Sequence, residues 1–93
     1  MTKLQRFARD QTCTLRSDAC NGDPATVVLC HVRIAGFAGV AMKPPDWLAY
    51  HGCSSCHIEQ EARRVDWKDV LRAVAETMRR AVDEGLIKVS NGL

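Results

Sequence analysis

No stretch of this chain approaches the roughly 20 consecutive apolar residues that a membrane-spanning helix needs. Residues 1–10 hold Lys3, Arg6 and Arg9 with no apolar run of signal-peptide length. Neither a membrane partner nor secretion is expected, and the cytoplasm is the expected compartment. Net charge is scarce too. The 13 Lys and Arg stand against 11 Asp and Glu, formally +2, which is too mild to announce a nucleic-acid binder by charge alone. Internal repeats and low-complexity segments are absent, and 93 residues suit a single domain, 1–93.

Cysteine is what the chain has in quantity, five in all. A chain this short buries a modest core and often needs a metal, disulfides or a partner to stay folded. In a reducing compartment paired cysteines more often hold metal or do redox work than form a disulfide framework. Cys53-Ser54-Ser55-Cys56 is a C-x2-C turn that delivers two sulfurs to one ion while the following residues wind into a helix. Cys13 and Cys20, with six residues between them, form a second pair 32 residues upstream of the first. The four read as one structural zinc site, with tetrahedral ligands at about 2.0–2.3 Å, closing a long loop. Cys30 is left over, and a buried strand cysteine usually packs as a small hydrophobe.

Patterning supplies the elements. Residues 3–9 alternate charge with Leu4, Phe7 and Ala8 at helical spacing. Residues 13–16 suit an extended segment, and residues 17–24 are dense in turn formers. The β-branched run 26–34 is the best strand and carries His31. Gly36, Gly39, Pro44 and Pro45 make residues 35–46 a loop that crosses back toward the zinc. Residues 47–50 are a short apolar piece, strand or helical turn, and 54–64 suit a helix beginning at the second zinc pair. Asp66 is a plausible N-cap for a last helix with Trp67, Val70, Leu71, Val74, Met78, Ala81 and Val82 on one stripe, ended by Gly85. That stripe holds no reactive group and reads as a packing surface. A short tail strand is expected over 86–89.

Assembled, these pieces predict an α+β fold: a small zinc-stabilised ββα-metal unit over residues 10–64, with a C-terminal packing helix over 66–85. The combination of Cys13-x6-Cys20-Asn21-Gly22, His31-x-Arg33, Lys43-Pro44-Pro45-Asp46 and Cys53-Ser54-x-Cys56-His57 resembles the YbcO-like family of small prophage-encoded nucleases. More broadly it resembles the HNH, or His-Me finger, endonucleases that carry a four-cysteine zinc. The resemblance covers roughly residues 1–64.

It implies a metal-dependent DNA endonuclease. His31 would occupy the place of the general base that takes a proton from water. An unperturbed imidazole, with a pKa of about 6.5, suits that task near neutral pH. His57 maps onto a ligand of the catalytic divalent ion, Mg2+ or another, and Glu61, four residues on along a helix, shares its face and could hold the same ion. The family's middle residue, usually asparagine, corresponds most nearly to Asp46, which departs from that pattern. Cys30 departs too, standing where many such enzymes have an acidic or histidine ligand. Arg33, two residues from His31, would share a strand face with it and could bind phosphate, with Lys43 a weaker candidate. A homodimer is plausible, since cutting two strands needs two sites.

Bland alternatives stand beside each assignment. A lone histidine on an apolar strand is often a satisfied core residue, and His57 could replace one cysteine as a zinc ligand. His51 has no partner readable from spacing and is expected on the surface or in a loop. As a whole, the chain could be a non-catalytic zinc-finger module that binds nucleic acid or another protein. A thiol–disulfide protein built on Cys53 and Cys56 is a third reading, but it lacks a βαβ context and leaves Cys13 and Cys20 unexplained.

Overall fold

A computed structural model describes residues 1–34 and 44–89. Helix α1 (Lys3–Ala8) is followed by a 3-10 turn (Pro24–Thr26), strands β1 (Val28–His31) and β2 (Ala49–Gly52), then helices α2 (Ser54–Glu61) and α3 (Trp67–Asp83). Capping residues fix the helix starts. Thr2 and Gln5 form a reciprocal capping box at α1, and the Asp66 carboxylate accepts from the Lys68 N–H at 2.9 Å to start α3. The strand predicted over 26–34 is shorter than expected. Pro24 at the first position of the 3-10 turn leads the chain into that turn through Thr26. Residues 35–43 of the predicted loop, with Gly36, Gly39 and Lys43, lie outside the described residues.

The strands are antiparallel, pairing Val28 with Gly52, Leu29 with His51, Cys30 with Tyr50 and His31 with Ala49. All four residues of β2 are buried, because its outer edge is covered. There the His51 carbonyl accepts from the Thr14 N–H at 2.7 Å, and its N–H donates to the Thr77 hydroxyl at 2.9 Å. Those partners satisfy polar groups that a bare strand edge would leave open. Gly52 is required by close approach. A Cβ there would stand 2.5 Å from Tyr50 Cε2 and 2.9 Å from Cys30 Sγ.

The main core joins Cys13, Leu15, Val27, Cys30 and Tyr50 to Val70, Ala73 and Val74 of α3. On α3 the buried set is Val70, Ala73, Val74, Thr77 and Ala81. The predicted stripe is therefore rotated, because Trp67 (68% exposed) and Leu71 (58% exposed) fall outside the packed face. Arg72 donates to the carbonyls of Thr14 and Leu15 at 2.9 and 3.0 Å. With Arg16 it also holds Glu76, tying the first cysteine segment to α3. The Arg16 hydrogen bond, opposed by burial and reinforced by Arg72, lowers the Glu76 carboxyl to about 2. Residues 86–89 form no strand. Leu86 instead donates back to the Ala81 carbonyl at 2.9 Å, closing α3 around Gly85 at φ +76. No helix among the described residues is long and apolar enough to cross a membrane.

Candidate metal centre and the His31 cavity

Cys13 and Cys20 flank the first turn region, while Cys53 caps α2 and Cys56 lies in its first turn. The four Sγ atoms all lie within 4.8 Å of one another, and Cys20 and Cys53 are 3.8 Å apart. A tetrahedron of thiolates at about 2.3 Å from zinc has an edge of about 3.8 Å. The donor set therefore fits a zinc ion in both chemistry and span. Backbone N–H groups point at the sulfurs: Ser17 to Cys56, Cys53 to Cys13 and Cys56 to Cys53, each at 3.4 Å. Such donors stabilise thiolate charge.

In the thiols themselves, burial pushes Cys56 up to about 12 against hydrogen bonds from Ser17. At Cys53 burial acts in the same direction, but hydrogen bonds from the Asn21 and Cys56 backbone prevail and lower it to about 7. Cys30 stands apart from the cluster. It is 1% exposed, its thiol faces the carbonyls of Val28 and Gly52, and burial pushes it up to about 12. It packs as a small hydrophobe, as expected.

A second constellation forms at the end of β1. His31 Nε2 lies 2.7 Å from Asp46 Oδ1, and Asp46 Oδ2 accepts from the Thr2 hydroxyl at 2.6 Å. An ionised carboxylate only accepts, so the contact places a proton on Nε2, and in the neutral imidazole Nδ1 would keep its lone pair. His31 lines a cavity of about 650 Å3 with Arg33, Gln60, Glu61 and Arg63 on its polar side. Val70, Leu71 and Trp67 of α3 contribute to its apolar side. Arg33 lies beyond the end of β1, so its nearness to His31 comes from this shared cavity rather than a strand face.

On α2, His57 Nε2 is 3.2 Å from Glu61 Oε1, with both side chains partly open to solvent. Glu61 lines the His31 cavity, whereas His57 is not among its lining residues. No third carboxylate, histidine or cysteine among the described residues joins His57 and Glu61 in a ligand cluster.

His51 departs from expectation. It is 1% exposed, stacks edge-on to Phe7 with ring centroids 5.5 Å apart, and accepts at Nδ1 from Arg80 at 3.0 Å. Burial first, and the Arg80 charge second, lower its pKa to about 4, so it is a neutral core residue rather than a loop histidine. Thr2, bonded to Asp46, and Arg63, which lines the His31 cavity, carry no local sequence signal for those positions. Thr2 stands 44 positions from Asp46, and no spacing rule links them.

A two-stranded α+β domain with four clustered cysteines and a histidine–carboxylate pair at a strand end is the class these features define. The family described as "Putative nuclease YbcO" matches residues 2–89, and the chain belongs to it. A curated relative of that name from Escherichia coli (strain K12) is 38% identical over 96 residues, covering 95% of this chain and 99% of the relative. A relative with the same name from Enterobacteria phage 82 matches equally well. A solved structure described as a putative bacteriophage protein from Escherichia coli K-12 aligns with a TM-score of 0.70 at 36% identity, over 89% of this chain and all of the other.

Proposed function

We propose that this chain is a metal-dependent DNA endonuclease of the HNH, or His-Me finger, type, hydrolysing phosphodiester bonds with a histidine-activated water. The observation that carries the reading is the His31–Asp46 pair at 2.7 Å, whose histidine lines a cavity together with Arg33 and Glu61. The chain order agrees with it, since an antiparallel pair leads at once into a helix that starts on the cysteine cluster. The relatives' shared name supports nuclease chemistry, and the phage relative supports a phage or prophage origin.

In this reading Asp46 fixes the tautomer and aim of His31, and Thr2 holds the far oxygen of Asp46. The Nδ1 lone pair then takes a proton from water, and the hydroxide so formed attacks phosphorus as the bond to the leaving oxygen breaks. Arg33 holds the phosphate by charge-assisted hydrogen bonds. His57 and Glu61 would hold a divalent ion. Two ligands at about 2.1 Å and right angles stand about 3.0 Å apart, and the observed 3.2 Å is compatible with that. When bound, the ion supplies charge stabilisation for the phosphate and leaving oxygen. The four thiolates of Cys13, Cys20, Cys53 and Cys56 would hold a separate structural zinc.

The test is cleavage of duplex, nicked and branched DNA by zinc-loaded protein across a titration of divalent metal. His57→Ala should raise the metal concentration needed for half-maximal cleavage, because it removes a ligand and leaves the base in place. Binding without cleavage on every substrate and with every metal would favour the zinc-finger binding module instead.

A further inference from the structure

Helices α2 and α3 end with the same backbone motif but different residues. At α3 the Gly85 N–H donates to Val82 and the Leu86 N–H to Ala81; at α2 the Arg63 N–H donates to Gln60 and the Arg64 N–H to Glu59. This is a closure in which the residue just past the cap adopts positive φ, a position glycine fills without strain. Gly85 fills it after α3 at φ +76; after α2 it is Arg63, at φ +58. A long, β-carbon-bearing cation therefore occupies the position where the motif most favours glycine. The conformation alone does not mark a site, since Asp10 and Arg16 also adopt positive φ.

The surroundings of Arg63 do. Arg6, Arg16, Arg64, Arg72, Arg79 and Arg80 each have a hydrogen-bonded or ionic partner. Among the described residues the guanidinium groups of Arg9, Arg33 and Arg63 have none, and of these Arg33 and Arg63 line the His31 cavity. Two guanidinium groups lining the cavity of a histidine that is paired with a carboxylate offer donors to more than one phosphate oxygen. A strained backbone at a cavity rim is also where proteins concentrate binding residues.

We propose that Arg63 is a phosphate-binding residue of the nucleic-acid site, acting with Arg33 on the DNA backbone, and that its strained helix-end conformation serves that contact. This rests on the nuclease reading above, but it is tested by binding rather than by cleavage. The assay is fluorescence anisotropy of a labelled DNA duplex with zinc-loaded full-length protein, without added divalent metal, between about 50 and 200 mM salt.

Arg63→Gly should raise the melting temperature by about 2–6 °C as strain is relieved. It should also weaken binding about 3–10-fold at low salt and reduce the slope of log affinity against log salt by about 1. Arg63→Asn, which tolerates positive φ, should weaken binding similarly, while Arg63→Lys should keep most of the salt slope. Unchanged affinity and slope in both Arg63→Gly and Arg63→Asn would overturn the proposal while leaving the nuclease reading intact. A wild-type protein that neither binds nor cuts DNA would overturn both.

Discussion

Replacing Cys20 by serine removes one sulfur from the four-cysteine cluster with the least damage to packing, because Cys13, Cys53 and Cys56 are buried and Cys20 is only partly so. The expected effect is large for a reason that lies in the fold. The cluster fastens the first cysteine segment to the start of α2, and three of its members lie inside the main core beside Leu15, Val27 and Val74. Domains are stable by roughly 0.05–0.15 kcal/mol per residue, or about 5–14 kcal/mol for a chain of this length. Structural zinc contributes an apparent 10–16 kcal/mol at neutral pH in small finger domains. Losing the ion should therefore remove most or all of the folding free energy.

Zinc stoichiometry measured by native mass spectrometry, with thermal unfolding followed by circular dichroism, checks this. Wild type should carry one zinc and lose its cooperative transition on chelation, and Cys20→Ser should bind zinc weakly and melt far lower. Cys30→Ala is the contrast: a buried thiol outside the cluster, it should keep one zinc and lose only about 1–3 kcal/mol. A zinc-free wild type that melts as the zinc-loaded protein does, or a Cys20→Ser variant indistinguishable from wild type, would refute the reasoning.

Three further outcomes follow from the contacts. Gly52→Ala drives a Cβ against buried Tyr50 and Cys30 and should cost about 1–3 kcal/mol, read as a lower denaturant midpoint at an unchanged slope. Glu76 has its folded pKa depressed from 4.5 to about 2, so its stabilising contribution is complete above about pH 4.5 and fades as pH falls toward 2. The stability gap between wild type and Glu76→Gln should close over that window, and solvent screening keeps it on the order of 1 kcal/mol or less. Asp46→Asn should slow cleavage by less than loss of the base itself, with folding and zinc content intact; unchanged cleavage would remove Asp46 from the mechanism.

Some of this architecture is legible in the sequence because it is written in repeated local signals. The paired cysteines announce one another, and α3 is bracketed by Asp66 and Gly85. Its packed face was harder to place. Periodicity gives the direction of an apolar stripe but not its width, so Trp67 and Leu71 read as core although they stand exposed at a cavity. His51 was unreadable because what makes it a core residue, Phe7 and Arg80, comes from the two ends of the chain. The contact between His31 and Asp46 spans 15 positions, and no local pattern specifies it. A family resemblance brought both residues to notice, yet only the fold shows that one carboxylate oxygen meets the imidazole while the other is held by Thr2.

His31→Ala tests the central claim most directly, because it removes the proposed base while leaving the four cysteines, Arg33, Arg63 and the core in place. The measurement is the single-turnover cleavage rate of matched DNA by wild type and variant at saturating divalent metal, with zinc content and DNA affinity confirmed equal. If His31 activates the attacking water, the rate should fall by about 10²–10⁴-fold. Equal rates would contradict the account.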